Sequence, residues 1–314
     1  MSALFWTLAG VAFLLLVLYF LFCALLVNKF LRRKPDDPEA FLRRMERGPN
    51  ARYFKIIRDS LGWFPAQPAE DVYVESMDGL TLHGRYLSRE HPRGTMLLVH
   101  GFHGSGNCDF SCVLQTYYDM GFDLLVIDQR SHLGSQGTFL TMGVLERYDV
   151  RSWCLWLLER FGEQHPVVLD GISMGGATVL MSAGLELPEN VKGILADCPY
   201  TTPKAIIRKV AKDMGIPPAL IYPFVRLGGL LFAGGIDPAD ASALVGVEGA
   251  TVPITVIHGE ADAFVPADMS REIKKANPAI DLQLFPGAHH GISYMKDKPR
   301  YLSLVTDFAL KCLK

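Results

Sequence analysis

Three kinds of residue in this chain could together do nucleophilic chemistry: a serine between glycines, a pair of adjacent histidines, and an acid between them in sequence. Ser173 stands in Gly171-Ile172-Ser173-Met174-Gly175, a G-x-S-x-G pattern. A serine hydroxyl attacks poorly until a base takes its proton and an acid holds that base in one tautomer. The turn predicts a strained serine backbone, with small neighbours because the flanking strand and helix nearly touch. The following helix aims its N-terminus, with free N–H groups and positive dipole, at any anion forming there. An incidental serine in a glycine-rich turn has the same local pattern, so the downstream residues matter. At an elbow of this kind the partners follow in the order Ser, Asp or Glu, His. After the apolar run Ile254–Ile257 comes His258-Gly259-Glu260-Ala261-Asp262, where Asp262 is the candidate acid and Glu260 its competitor. After Leu282–Phe285 comes Pro286-Gly287-Ala288-His289-His290-Gly291, and one of the two histidines is the expected base.

The elements that must position these residues are legible as hydrophobic runs. Met96–Val99, Leu124–Ile127, Val167–Leu169, Ile194–Ala196 and Ile254–Ile257 are continuous apolar stretches separated by helix-length segments. Strands apolar on both faces belong to a parallel sheet between two helical layers. Each run ends in a polar or glycine-rich tip, and ligands of open α/β sheets bind at the carboxyl ends of strands. Ahead of them, the alternating segments Val72–Glu75 and Leu80–Leu87 around Asp78-Gly79 predict a β-hairpin. Between about 199 and 240 the rhythm breaks into an apolar stretch with prolines and glycines. This reads as a helical cap shaping an apolar acyl pocket, or else as helices packed on the sheet's flank. The expected organisation is therefore an anchor over 1–28, a basic linker with short amphipathic helices over 29–70, and a catalytic domain over 71–314.

The formal net charge is −2, from 31 basic and 33 acidic residues. Such a balance offers no electrostatic footprint for nucleic acid. Six scattered cysteines without a C-x-x-C read as free thiols rather than a zinc site or disulfide framework. Residues 3–27 carry no charge, and as a helix they would be about 37 Å long, enough to cross a bilayer core of ~30 Å. A cleaved signal peptide would need a basic start and a small-residue cleavage site. Neither is present, so a retained anchor is expected. Lys29, Arg32, Arg33, Lys34, Arg43, Arg44 and Arg47 follow it, an asymmetry that puts the catalytic domain on the cytoplasmic side.

Taken together, His100-Gly101-Phe102-His103-Gly104, Asp128-Gln129-Arg130-Ser131-His132-Leu133-Gly134-Ser135, the elbow, His258-Gly259-x-x-Asp262-x-x-Val265-Pro266 and the terminal histidine resemble the alpha/beta-hydrolase superfamily. Its serine-aminopeptidase-like and esterase-type members are the most similar, over about residues 71–314. The resemblance implies a mostly parallel sheet with helices on both faces. It also implies Ser173 as nucleophile, Asp262 as acid and His290, the histidine followed by glycine, as base. An oxyanion needs two fixed N–H donors. One is expected from Met174 at the helix start, and the other, by the resemblance, from Phe102. Arg130-Ser131-His132-Leu133 departs from the family's frequent Arg-Gly-His-Gly. His100, His103, Asp128, Asp170 and Asp197 are expected to organise turns rather than to react. No P-loop or dinucleotide fingerprint occurs, and no metal or organic cofactor is expected. The expected activity is cleavage of a carboxylic ester or related acyl bond, in the manner of a carboxylesterase or lipase, on a lipophilic small molecule. The alternatives are amide cleavage or acyl transfer by the same triad, or an inactive membrane-tethered scaffold.

Overall fold

The five continuous apolar runs become the inner strands of one sheet. The computed structural model describes residues 2–35, 37–47 and 50–313. The chain opens with a long helix α1 (Ser2–Phe30) and two short ones, α2 (Pro38–Arg47) and α3 (Phe54–Ser60). The hairpin β1 (Glu70–Glu75) and β2 (Thr81–Leu87) follows, then β3 (Thr95–Val99), α4 (Gly106–Asp109), α5 (Leu114–Asp119), β4 (Asp123–Ile127) and α6 (Glu146–Phe161). The centre of the chain holds β5 (Val167–Ile172), α7 (Met174–Ser182), β6 (Val191–Asp197), α8 (Pro203–Asp213) and α9 (Pro218–Phe232). It closes with α10 (Ala243–Glu248), β7 (Ile254–Gly259), α11 (Asp268–Ala276), β8 (Asp281–Phe285), α12 (Ser293–Lys296) and α13 (Lys298–Cys312).

The eight strands lie in the order β1-β2-β4-β3-β5-β6-β7-β8. Pairing is antiparallel from β1 through β2 to β4 and parallel everywhere beyond. Register aligns the carboxyl ends: Val99 pairs with Ile127 and Gly171, Ile172 with Asp197, and Asp197 with Ile257. Successive strand side chains face opposite ways, so each inner strand feeds two cores. Leu97, Val99, Leu125 and Ile127 meet Trp153 and Leu157 of α6, Ala177 of α7 and Ile273 of α11. Met96, Leu98, Leu124 and Val126 meet Leu114 and Tyr117 of α5 and Tyr301, Val305 and Phe308 of α13. Buried Arg130, just past β4, joins Asp149 of α6 at 2.6 Å and Asp78 of the hairpin turn at 2.9 Å. That ion cluster ties three elements together, and removing one partner would strand a buried charge.

Helix α1 is docked at its end. Val27 and Leu31 are buried. The Leu140 N–H donates to the Leu31 carbonyl at 2.9 Å, and the Arg33 N–H to Thr138 at 2.8 Å. The Arg33 guanidinium also donates to the carbonyls of Leu133 and Ser135. Basic residues after the apolar stretch thus clamp the helix to the loop beyond β4.

Candidate active site

Gly171 and Gly175 let β5 and α7 approach within backbone contact. A Cβ on Gly175 would lie 1.8 Å from the Val99 carbonyl oxygen, and one on Gly171 2.3 Å from that of Gly175. Between them Ser173 has φ +57° and ψ −115°, a conformation that costs a non-glycine residue of order 1–3 kcal/mol. The tip of the neighbouring strand holds it there, since the Ser173 N–H donates to the Asp197 carbonyl at 2.8 Å.

Ser173, His290 and Asp262 come together at this rim. His290 Nε2 lies 2.9 Å from Ser173 Oγ, and its Nδ1 lies 2.6 Å from Asp262 Oδ2. With Nδ1–H donating to the carboxylate, Nε2 is left to accept from the hydroxyl. Asp262 is buried, and its Oδ1 accepts the Phe264 and Val265 N–H groups, each at 2.9 Å. Burial would push its carboxyl up, but His258, His290 and the Val265 amide outweigh it and hold the group well below the usual carboxylate range. His258 is itself fixed, with Nδ1 2.6 Å from Ser270 Oγ and Nε2 2.9 Å from the Val265 carbonyl.

The competing residues point elsewhere. Glu260 lies beside Arg271 at 3.4 Å, half exposed. His289 is turned back, its Nδ1 2.8 Å from the Ala261 carbonyl. His100 is buried with Nδ1 on the Gly101 carbonyl at 2.8 Å, and its Nε2 accepts the Gln129 N–H at 3.1 Å. Burial, then the adjoining His132, push the His100 imidazole down to about 3, so it stays neutral and structural. Asp170 accepts from Tyr117 Oη at 2.6 Å, and Asp128 lies 2.6 Å from His83 Nδ1.

Phe102 and Met174 flank the serine. A Cβ on Gly101 would lie 3.4 Å from Ser173 Cβ, so the loop after β3 passes directly beside it. Among the described residues no protein acceptor takes the Phe102 or Met174 N–H. Two residues shape that loop: Asp109, which sequence reasoning did not single out, accepts the Gly101 N–H at 2.7 Å, and Nε2 of His132, quoted there only within the motif after β4, accepts the His103 N–H at 3.2 Å.

Cys198 is a free thiol, as the sequence reading has it, and it lies beside the site. It is buried at φ +46°, with Sγ 3.9 Å from His290 Nε2. Cys198, Asp262 and His290 have metal-ligand atoms within 4.8 Å of one another. Burial first, then the Asp197 and Asp262 carboxylates, push the thiol well up. Metal binding needs a thiolate, and both His290 nitrogens already face partners, so the trio is a poor ion cage.

A cavity of about 540 Å³ opens over Ser173 and His290. Its walls are mainly apolar: Phe110 and Val113 after α4, Ile172, Tyr294 and Met295 of α12, and Met45 and Ile57 of α2 and α3. No described residue of 199–240 lines it. That stretch does form helices, α8 and α9, but α9 packs on α1, where Phe224 meets Tyr19 and Phe22. The short helices of the basic linker cover the cavity instead.

Residues 94–217 match the family model described as alpha/beta hydrolase fold, and residues 239–306 match that of the dienelactone hydrolase family. The protein YqkD of Bacillus subtilis strain 168 is 22% identical over 238 residues, 75% of this chain and 77% of its own length. A monoacylglycerol lipase of Mycolicibacterium smegmatis is 22% identical over 258 residues, 71% of this chain and 90% of its own. Among solved structures, the Pyrococcus furiosus esterase Pf2001 superposes with a TM-score of 0.65 at 21% identity, covering 81% of this chain and 96% of the esterase. Est1E of Butyrivibrio proteoclasticus, solved with ferulic acid bound, gives 0.60 at 20% identity, covering 77% and 99%. Likeness at that identity shows the fold. With family models matched on either side of residues 218–238, the chain has the alpha/beta-hydrolase fold.

Proposed function

We propose that this chain is a serine hydrolase that cleaves carboxylic esters of lipophilic acids through an acyl-enzyme on Ser173. The observation that carries the reading is His290 bridging Ser173 at 2.9 Å and Asp262 at 2.6 Å. Ser173 Oγ attacks the ester carbonyl carbon while His290 Nε2 takes its proton, and Asp262 steadies the imidazolium. The negative charge on the carbonyl oxygen is met by the N–H groups of Phe102 and Met174. His290 returns the proton to the leaving alcohol as the C–O bond breaks. Water, deprotonated by the same nitrogen, then releases the acid and restores the serine.

The apolar cavity walls support an acyl chain as the recognised part of the substrate. Relatives known as an esterase and a monoacylglycerol lipase support the ester class. Helix α1 serves in this reading as a retained membrane span, with the domain on the cytoplasmic side. Removal of the apolar stretch over 1–28 would strip Cys23 and Val27 out of the core, which supports retention.

The test is turnover of p-nitrophenyl acyl esters by wild type and Ser173→Ala, with labelling by a fluorophosphonate probe. The substitution should remove labelling and lower kcat by several orders of magnitude. Near-normal turnover by Ser173→Ala would end the proposal. Activity confined to anilides, or to transfer onto an added alcohol, would move it to the amidase or acyltransferase alternative.

A further inference from the structure

Helices α8 and α9 do not serve the cavity, and their outer surface is of two kinds. On α9 and the turn before it, Met214, Pro217, Leu220, Leu230 and Leu231 stand exposed, Leu220 by 62%. On α8, Lys204, Arg208 and Lys212 recur every four residues and are exposed as well. Lys204 Nζ and the Arg208 guanidinium lie 5.6 and 5.9 Å from the Tyr222 ring centre, so the basic row runs beside the apolar helix. A basic row bordering an apolar helix is the arrangement of an element that dips its apolar part into a bilayer and keeps its cations at the headgroups.

Depth follows from α1. Phe224 meets Tyr19 and Phe22 with ring centres 4.7 and 5.0 Å apart. One turn later, a Cβ on Gly228 would lie 2.5 Å from Val27 Cγ2 and 2.8 Å from the Cys23 oxygen. The two helices therefore run side by side in the same direction, and Leu220, a turn before Phe224, lies further toward the free end of α1. The unbroken exposed run of α1 is Ala3 to Leu18, a length of about 24 Å against a bilayer core of ~30 Å that takes about 20 residues. A spanning α1 must submerge itself to about Phe22, and the start of α9, packed against it, goes with it.

We propose that the α8–α9 hairpin is a second membrane contact. The turn at 214–220 and the first turn of α9 enter the leaflet from which α1 emerges, and Lys204, Arg208 and Lys212 meet anionic lipid headgroups. The inference rests on the reading of α1 as a membrane span. It makes the catalytic domain a body pinned to the bilayer at two places rather than one swinging on a tether.

The test uses the full chain in phosphatidylcholine–phosphatidylserine vesicles whose acyl chains are brominated or not, with Leu220→Trp as the probe. Trp6, exposed on α1, is the internal reference and is read by difference with Trp6→Phe. Gln164→Trp, at the opposite rim of the sheet before β5, is the control. All three positions are on the surface, and ester turnover checks that each variant has folded. The expected result is a blue shift of the Leu220→Trp emission and its loss in brominated lipid, as for Trp6, with Gln164→Trp unaffected. Quenching of Trp6 but not of Leu220→Trp would overturn the hairpin proposal while leaving the span intact. A blue-shifted but unquenched Leu220→Trp would show the face covered by protein, a second copy included, and would overturn it too. Failure of brominated lipid to quench Trp6 would remove the span itself, and the proposal with it.

Discussion

Asp262→Asn tests the acid–base arrangement more sharply than loss of the nucleophile. In wild type, Asp262 Oδ1 accepts two backbone N–H groups, from Phe264 and Val265, while Oδ2 accepts from His290 Nδ1. An asparagine must keep its one oxygen on the two amides, so its NH₂ faces His290. Two donors then oppose each other unless the imidazole shifts its proton to Nε2. That tautomer presents N–H instead of a lone pair to Ser173 Oγ, and the base is lost with the fold intact. A substitution of this kind costs about 10⁴ in kcat, or roughly 5 kcal/mol of transition-state stabilisation. The assay is p-nitrophenyl butyrate hydrolysis alongside the rate of fluorophosphonate labelling, since both need the same proton removed. The fall should appear in kcat with KM little changed, and the melting curve at neutral pH should remain cooperative. An Asp262→Asn enzyme within tenfold of wild type would refute the assignment of Asp262 and His290 as a working pair.

Met45→Trp should shorten the acyl chain accepted, because Met45 lines the cavity. Acetate esters keep their kcat/KM while octanoate esters lose it, and an unchanged chain-length profile would contradict a wall contributed by α2. Gly175→Ala should destabilise by more than about 3 kcal/mol, since the new methyl would meet the Val99 carbonyl at 1.8 Å. Gly62→Ala, with nothing within 4 Å of its Cβ, should leave Tm unchanged, and thermal melts compare the two. Burial, then the neighbouring Asp197, raise Asp170 to about 7 against the hydrogen bond from Tyr117. A carboxyl raised on folding contributes stability that is complete below its unfolded pKa and is lost as pH rises through the folded one. The loss amounts to at most about 4 kcal/mol over that window. Asp170→Asn should therefore flatten the decline of denaturant midpoint between pH 4 and 7, and an equally steep decline would count against it.

Much of this architecture could be read from residue order because its causes are local. Continuous apolar runs have no choice but the interior of a sheet, and their polar tips mark one rim. The turn at Ser173 is legible for the same reason, since only glycines allow the Val99 and Gly175 backbones so close. Choices between neighbours were harder. His289 and His290 differ by one residue, and what turns one to the Ala261 carbonyl and the other to Ser173 is the course of a loop after β8. Glu260 and Asp262 divide similarly, decided by which carboxylate can reach the Phe264 and Val265 amides. Least legible was the roof of the cavity. Amphipathic patterning shows that α2, α3 and α9 each bury a side, but not against what. Part of the apolar surface of α9 goes to α1, a pairing set by Gly228 and the aromatic contacts of Phe224 some 200 residues from the helix it meets. Side chains of Phe41 and Arg44, part of the amphipathic reading of α2, lie outside the described residues.

The packing of α1 against α9 also bears on how a water-soluble version of this protein should be cut. Trimming at the end of the greasy stretch, after residue 28, would peel Cys23 and Val27 away from Gly228 and bare Phe224. The remnant would carry a fresh sticky groove and clump in solution. Starting at Tyr19 instead keeps the last three turns of the helix as a built-in plug and discards only the part that touches nothing but its surroundings.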